Sequence, residues 1–256
     1  MRIINKNDLP KQGKLIMTYG DTGVGKTTSI IQSAPDPILY IATEPRNPRP
    51  SIEASGRDLD MDIARYTTWF DLMEFLQDLK NTARYTTVVI DSITILMNVS
   101  LAGEIEDEAF DARTMEEKRR KPIVSQAKMS MEGYGGLSSQ MFRLMKAIGK
   151  LSADGKVVIV TALLQENPKW DRKLAAAPAL KGREFPTSMP GFFDLIGLVE
   201  PRMDEKGKLI YPPLVSFESP DGSFLSKYTG TGKKRRGPLN FEKILGLNIK
   251  QNRGGI

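Results

Sequence analysis

Gly20-Asp21-Thr22-Gly23-Val24-Gly25-Lys26-Thr27 fits the phosphate-binding pattern G-x-x-x-x-G-K-[ST] without a mismatch, and Thr28 follows it. A triphosphate needs several backbone N–H groups turned onto its oxygens at once. Gly20, Gly23 and Gly25 permit the backbone angles and the close approach that a side chain would block. Lys26 is placed to reach the β- and γ-phosphates, and the Thr27 hydroxyl to ligate Mg²⁺. The positive end of a following helix adds to the field on the phosphates. These residues therefore point to ATP with Mg²⁺. A second acid belongs near such a loop because Mg²⁺ takes hard oxygen ligands. Thr87-Val88-Val89-Ile90-Asp91-Ser92 provides one: a β-branched run ending in an acid.

The elements around these residues supply the context the motif requires. Lys14 to Tyr19 reads as a short strand, and Thr27 to Ala34 as a helix ended by Pro35-Asp36-Pro37. Pro37 to Thr43 reads as a buried strand with Glu44 just past its end. Ile63 to Tyr66 forms a short strand, and Thr68 caps a helix with one apolar face over Trp69, Leu72, Met73, Phe75, Leu76 and Leu79. Residues 93 to 134 are the least regular, with Gly133, Gly135 and Gly136 closing them. A helical apolar stripe over Leu137, Met141, Leu144, Met145, Ile148 and Leu151 follows. Lys156 to Leu164 is a further core strand, with Gln165 at its end. Residues 166 to 190 show no clear period and read as a long loop, which in a compact domain is functional or disordered. In the tail, Phe192 to Val199, Leu209 to Glu218 and Ser223 to Tyr228 read as antiparallel strands, with Asp221-Gly222 as a hairpin turn. Asn240 caps a last helix ending near Gly246.

The chain has 256 residues, 40% hydrophobic and 27% charged, enough for one well-buried core. Residues 1–13 read as a lead-in and 247–256 as a flexible tail, giving one domain over 1–256. With no Cys, disulfides, Cys-based zinc sites and thiol catalysis are excluded; with no His, so is every histidine base. No window is apolar enough to span a membrane and the start lacks a signal-peptide hydrophobic region, so a cytoplasmic location is expected. The net charge of +6 suits a polyanionic partner. Segment 111–134 carries six basic and four acidic residues, and segment 166–190 five and three. The first includes Lys118, Arg119, Arg120 and Lys121; the second Lys169, Arg172, Lys173, Lys181 and Arg183, with Trp170 as a candidate for base stacking. Thr229 to Gly237 adds a basic run, Lys233-Lys234-Arg235-Arg236.

The P-loop, a strand running into Thr43-Glu44, a strand ending in Asp91-Ser92 and a strand running into Gln165 resemble, in this order, the RecA-type ATPase core. More narrowly, Ile-Asp-Ser-Ile-Thr at 90–94, Glu-Gly-Tyr-Gly-Gly-Leu at 132–137 and Pro-Leu-Asn-Phe at 238–241 resemble the short phage RecA-like ATPases found with single-strand annealing systems. The resemblance spans about residues 14–246. It implies an α/β fold with a mainly parallel central sheet flanked by helices, and antiparallel strands at the C-terminal end. It implies Glu44 as the catalytic base and Gln165 as the sensor of the γ-phosphate. One of Lys233, Lys234, Arg235 and Arg236 would be a finger acting on a neighbouring subunit. It further implies DNA-stimulated ATP hydrolysis, single-stranded DNA along 111–134 and 166–190, a homo-oligomeric filament or ring, an annealing or single-strand-binding partner, and a phage protein in the bacterial cytoplasm. In AAA+ proteins the glutamate directly follows the Walker B Asp, whereas Ser92 stands there in this chain. The large N- and C-terminal domains of cellular RecA proteins have no counterpart in this sequence, which sets strand exchange apart. A RecA-like motor, helicase or loader subunit, or a small-molecule phosphotransferase, remains an alternative.

Overall fold

Every strand that carries a motif residue is apolar on both sides, and a strand with no polar face must be covered twice. The computed structural model, which describes residues 12–111, 131–229 and 235–246, shows how this is met. Strands β1 (Leu15–Gly20), β2 (Ile38–Ala42), β3 (Met61–Arg65), β4 (Thr87–Asp91) and β5 (Val157–Glu166) alternate with helices α1 (Lys26–Ser33), α2 (Arg49–Ser55) and α3 (Trp69–Leu79). After β4 come one short turn of helix α4 (Ile93–Ile95), a π-helical stretch at Leu96–Leu101, α5 (Ala102–Asp111) and the long α6 (Met131–Ala153). Then follow β6 (Ala176–Pro178), α7 (Glu184–Ser188), β7 (Leu195–Met203), β8 (Leu209–Ser216), β9 (Lys227–Tyr228), β10 (Arg236–Pro238) and α8 (Phe241–Ile244).

The main sheet runs β10-β8-β7-β1-β5-β4-β2-β3. The pairings from β7 through β3 are parallel, and those of β8, β9 and β10 are antiparallel. The expected α/β class with a mostly parallel centre and antiparallel C-terminal strands is therefore correct. Alternate residues of each strand enter opposite cores. Leu15, Met17 and Tyr19 join Leu72, Leu76, Met141, Leu144 and Ile148 on one face, under α3 and α6. Ile16, Tyr40, Val89 and Ile159 join Ile30 and Phe241 on the other, under α1 and α8. Each such side chain, buried from water, contributes about 1.5–3 kcal/mol. All six residues of the expected stripe from Leu137 to Leu151 are buried. Thr68 and Asn240 are caps as expected, accepting from Asp71 N and Lys243 N.

Three local expectations are corrected. Residues 93 to 111 are helical, and Gly133, Gly135 and Gly136 lie inside α6 instead of closing an irregular region. Packing of the Leu137 stripe outweighs glycine's poor helix propensity. Segment 166–190 is not a plain loop. Ala176–Pro178 pairs with the end of β5, and Glu184–Ser188 forms a helix that buries Phe185. Non-local pairing of this kind leaves no periodic trace in so short a run. Finally, Asp221-Gly222 is a turn, its Asp221 carboxylate accepting from Ser223, but it does not close a hairpin. β8 and β9 both pair with β7, so they follow one another along its edge.

Among the described residues no helix is long and apolar enough to cross a membrane. At Gly135 and Gly136 an added Cβ would meet nothing within 4 Å. Converting both to Ala should stabilise the protein by about 1–2 kcal/mol in total, raising Tm by about 2–8 °C. Thermal denaturation monitored by circular dichroism checks this. A lowered Tm would place these glycines under a constraint other than helix propensity.

Candidate active site

The parallel register brings the ends of four strands together. Gly20 lies opposite Leu163 and Val199, and Ala42 opposite Asp91. Gly20 has no room for a side chain, since a Cβ would fall 2.4 Å from the Val199 carbonyl oxygen. Gly23 and Gly25 take φ of 78° and 98°, which L side chains rarely adopt. Gly25 is also the N-cap of α1 and makes no side-chain cap, and the first turn carries no acid. The amino end of α1 is therefore left open to an anion. Asp21, Thr22 and Gly23 are exposed, while Val24, Gly25, Thr27 and Thr28 are half-buried around the mouth.

Lys26 is only 8% exposed, and its Nζ donates to the carbonyls of Gly20 and Asp21, both at 2.8 Å. The ammonium is thus folded over its own loop. Burial pushes its pKa below the ordinary lysine value, while Asp91, Glu44 and Asp21 oppose that shift. An anion in the loop would act in the same sense as those acids.

Asp91 is 7% exposed and carries three hydroxyl donors. Thr27 Oγ1 donates to its Oδ2 at 2.6 Å, Tyr40 OH donates to the same oxygen, and Thr161 Oγ1 donates to Oδ1. Thr27 and Asp91, the two expected Mg²⁺ ligands, are therefore in contact, and their oxygens are of the hard type that ion takes. Burial, with the nearby Asp91 charge, raises the Tyr40 phenol well above its ordinary pKa, so it remains a donor.

Glu44 reaches the same spot from the end of β2. Ser92 Oγ donates to its Oε1 at 2.9 Å, and the Thr43 hydroxyl donates to the Ser92 carbonyl at 2.7 Å. Ser92 Oγ also caps the following helix by accepting from Ile95 N. Thus Lys26, Thr27, Asp91 and Glu44, drawn from three separate stretches of chain, are brought close together. Tyr40 and Thr161 were not singled out by sequence, and Thr43 and Ser92 entered only as neighbours of Glu44 and Asp91. Their only signal was a polar side chain inside or at the end of an apolar run, which marks a buried partner.

The other candidates are distributed more widely. Gln165 lies within β5, opposite Ala177 of β6 and two residues beyond the partner of Gly20; its amide makes no hydrogen bond among the described residues. Lys169, Arg172 and Lys173 are exposed, and the first two border a 420 Å³ surface cavity with Asn167, Pro168 and Leu174. Lys181 is half-buried and Arg183, at the N-cap of α7, is exposed. Trp170 is half-buried, and its Nε1 is buried without a partner among the described residues. Arg235 and Arg236 pair within the chain, with Glu218 and Glu200, at and beside the outermost strand β10. Lys118, Arg119, Arg120, Lys121, Lys233 and Lys234 lie outside the described residues.

A strand, a glycine loop, a buried lysine and an acid at the end of a nearby strand define a P-loop nucleotide-binding ATPase site. A family model described as an AAA domain matches residues 12–224. That is most of the chain, and the protein belongs to this family of AAA domains. Comparison with curated proteins finds no match.

Tyr40→Phe removes one donor from a buried carboxylate without changing the ring's volume. It should cost about 1.5–3 kcal/mol, measured by urea denaturation at neutral pH. The folded-state phenol titrates above its unfolded value of about 10. Its contribution is therefore complete below that pH and is lost as pH rises beyond it. An equal stability of the two proteins would mean that Thr27 and Thr161 alone satisfy Asp91.

Proposed function

We propose that the protein is a RecA-like ATPase that binds single-stranded DNA as a homo-oligomer and acts in phage-type homologous recombination or strand annealing. The observation that carries the proposal is the position of Glu44. The residue after the Walker B acid is Ser92, which cannot act as a base, and Ser92 Oγ instead holds a glutamate delivered from β2. An acid at the end of the strand that follows the P-loop helix is the arrangement of RecA-type enzymes. β5 standing between β1 and β4 fits the same reading.

In this mechanism Lys26 leaves the Gly20 and Asp21 carbonyls and turns onto the β- and γ-phosphates of ATP. The P-loop amides and the N-terminus of α1 hold the remaining phosphate oxygens. Thr27 and Asp91 would hold Mg²⁺, which supplies charge neutralisation on the phosphates. Glu44 accepts the proton of the water that attacks the γ-phosphorus as its bond to the β,γ-bridging oxygen breaks and ADP departs with that oxygen, and Gln165 responds to the loss of that phosphate. Phosphoryl transfer depends chiefly on positioning and charge stabilisation, so no histidine is needed. Lys233, Lys234, Arg235 and Arg236 are the finger candidates, and Arg235 and Arg236 would first have to leave Glu218 and Glu200.

The DNA reading is supported by Lys169, Arg172, Lys173, Lys181 and Arg183, none of which forms an ion pair among the described residues. Together with Lys118, Arg119, Arg120 and Lys121 they would lie along the assembly axis and contact phosphates without reading sequence. An annealing or single-strand-binding protein is the partner such an ATPase would serve. A RecA-like motor, helicase or loader is the second reading, since it would use the same site.

Glu44→Gln keeps the shape of the side chain and removes only the proton acceptor. It should retain ATP binding and lose about 10²–10⁴-fold in hydrolysis, read by nucleotide titration and phosphate release. Normal turnover would sink the assignment of Glu44. For the DNA path, a Lys181→Ala/Arg183→Ala variant should flatten the salt dependence of single-strand binding, whose log–log slope is about −0.7 per neutralised phosphate. DNA-stimulated turnover should fall with it while basal hydrolysis persists. An unchanged slope in a folded variant would remove this segment from the DNA path.

A further inference from the structure

A triphosphate bound at Gly20–Thr27 has a direction. The groups that would meet its terminal phosphate are Thr27 at the start of α1 and, where β4 and β2 end on one side of β1, Asp91 and Glu44. The sugar and base must then leave the loop on the other side, where β7 and β8 lie. On that side β8 is broken. Glu200 pairs with Leu214 and Arg202 with Ile210, so Tyr211, Pro212 and Pro213 stand opposite the lone Pro201 of β7. Prolines cannot donate to the ladder, and a bulge of this kind re-aims side chains beside a functional site.

The bulge turns Tyr211 onto the phosphate loop. A Cβ at Gly25 would lie 2.6 Å from Tyr211 Cε1 and 3.5 Å from Pro213 Cδ. Yet Tyr211 is 54% exposed. One part of the ring touches the loop and the rest faces open space, and its hydroxyl makes no hydrogen bond among the described residues. The exposed part of the ring is thus open to a ligand bound at the loop.

We propose that Tyr211 is the stacking platform for the nucleotide base. It sets the end of the site opposite to Asp91 and Glu44. Stacking uses the face of the ring and no base-edge hydrogen bond, so the platform accepts purines of either kind. This inference rests on nucleotide binding at the P-loop, and the test separates the two.

The experiment titrates the full-length protein with Mg-ATP, Mg-GTP and inorganic tripolyphosphate by calorimetry. The proteins compared are the unmodified chain and the Tyr211→Ala, Tyr211→Phe and Tyr211→Leu variants. Tyr211→Ala should weaken ATP and GTP alike, by about tenfold, and leave tripolyphosphate unchanged. Tyr211→Phe should keep full affinity. Tyr211→Leu retains bulk against Gly25 but has no π face, so it should match Tyr211→Ala. If Leu restores affinity, or if tripolyphosphate weakens as much as ATP, the ring merely braces the loop and the platform is overturned. The same holds if no variant changes ATP affinity. An unmodified protein that binds neither ATP nor tripolyphosphate would overturn the P-loop reading itself, and the platform with it.

Discussion

A carboxylate removed from water must be fully hydrogen-bonded or lose its charge, and the site is built around meeting that demand at Asp91. Its three donors come from α1, β2 and β5, three stretches far apart in sequence. Each donor also fixes its own element. Thr27 ties the start of α1 to β4, Tyr40 ties β2 to β4 through the interior, and Thr161 ties β5. The phosphate loop is therefore referenced to the sheet through one charge. A change at Asp91 would disturb the position of Thr27 and the register of the neighbouring strand ends together.

From this node, polar contacts lead outward along the chain. The residue after Asp91 holds Glu44 and caps the next helix with the same oxygen. That helix continues into the π-helical stretch, a geometry often found near functional sites. There Asn98 accepts from Lys181 N at 2.9 Å and donates to the Ala179 carbonyl at 3.0 Å. Thr94 accepts from Leu163 N on β5. The basic segment that follows β5 is thus fastened to the helix that follows Asp91.

Much of the fold was legible because its signals are local. Buried parallel strands read as continuous β-branched runs, so β1, β2, β4 and β5 were recognisable, as were the caps at Thr68 and Asn240. Segment 166–190 was not, because β6 is stabilised by pairing with β5 and α7 by burial of Phe185, neither of which depends on a local period. Gly135 and Gly136 misled for the opposite reason. A local helix breaker was overridden by a buried apolar stripe whose energy comes from other elements.

The sequence by itself determined the phosphate loop, since three glycines, a lysine and a threonine at fixed spacing are a local geometric requirement. It also excluded histidine and cysteine from the chemistry, because the chain has neither. Which carboxylates and hydroxyls meet was decided only by tertiary structure. Tyr40 and Thr161 look like ordinary members of buried strands until parallel pairing sets them around Asp91. Tyr211 looks like a surface residue until a bulge in β8 lays it against Gly25. The physical reason is the same in each case. Side-chain proximity across a sheet depends on strand order and register, and those are set by the summed burial of both faces, not by any one residue's neighbours in the chain.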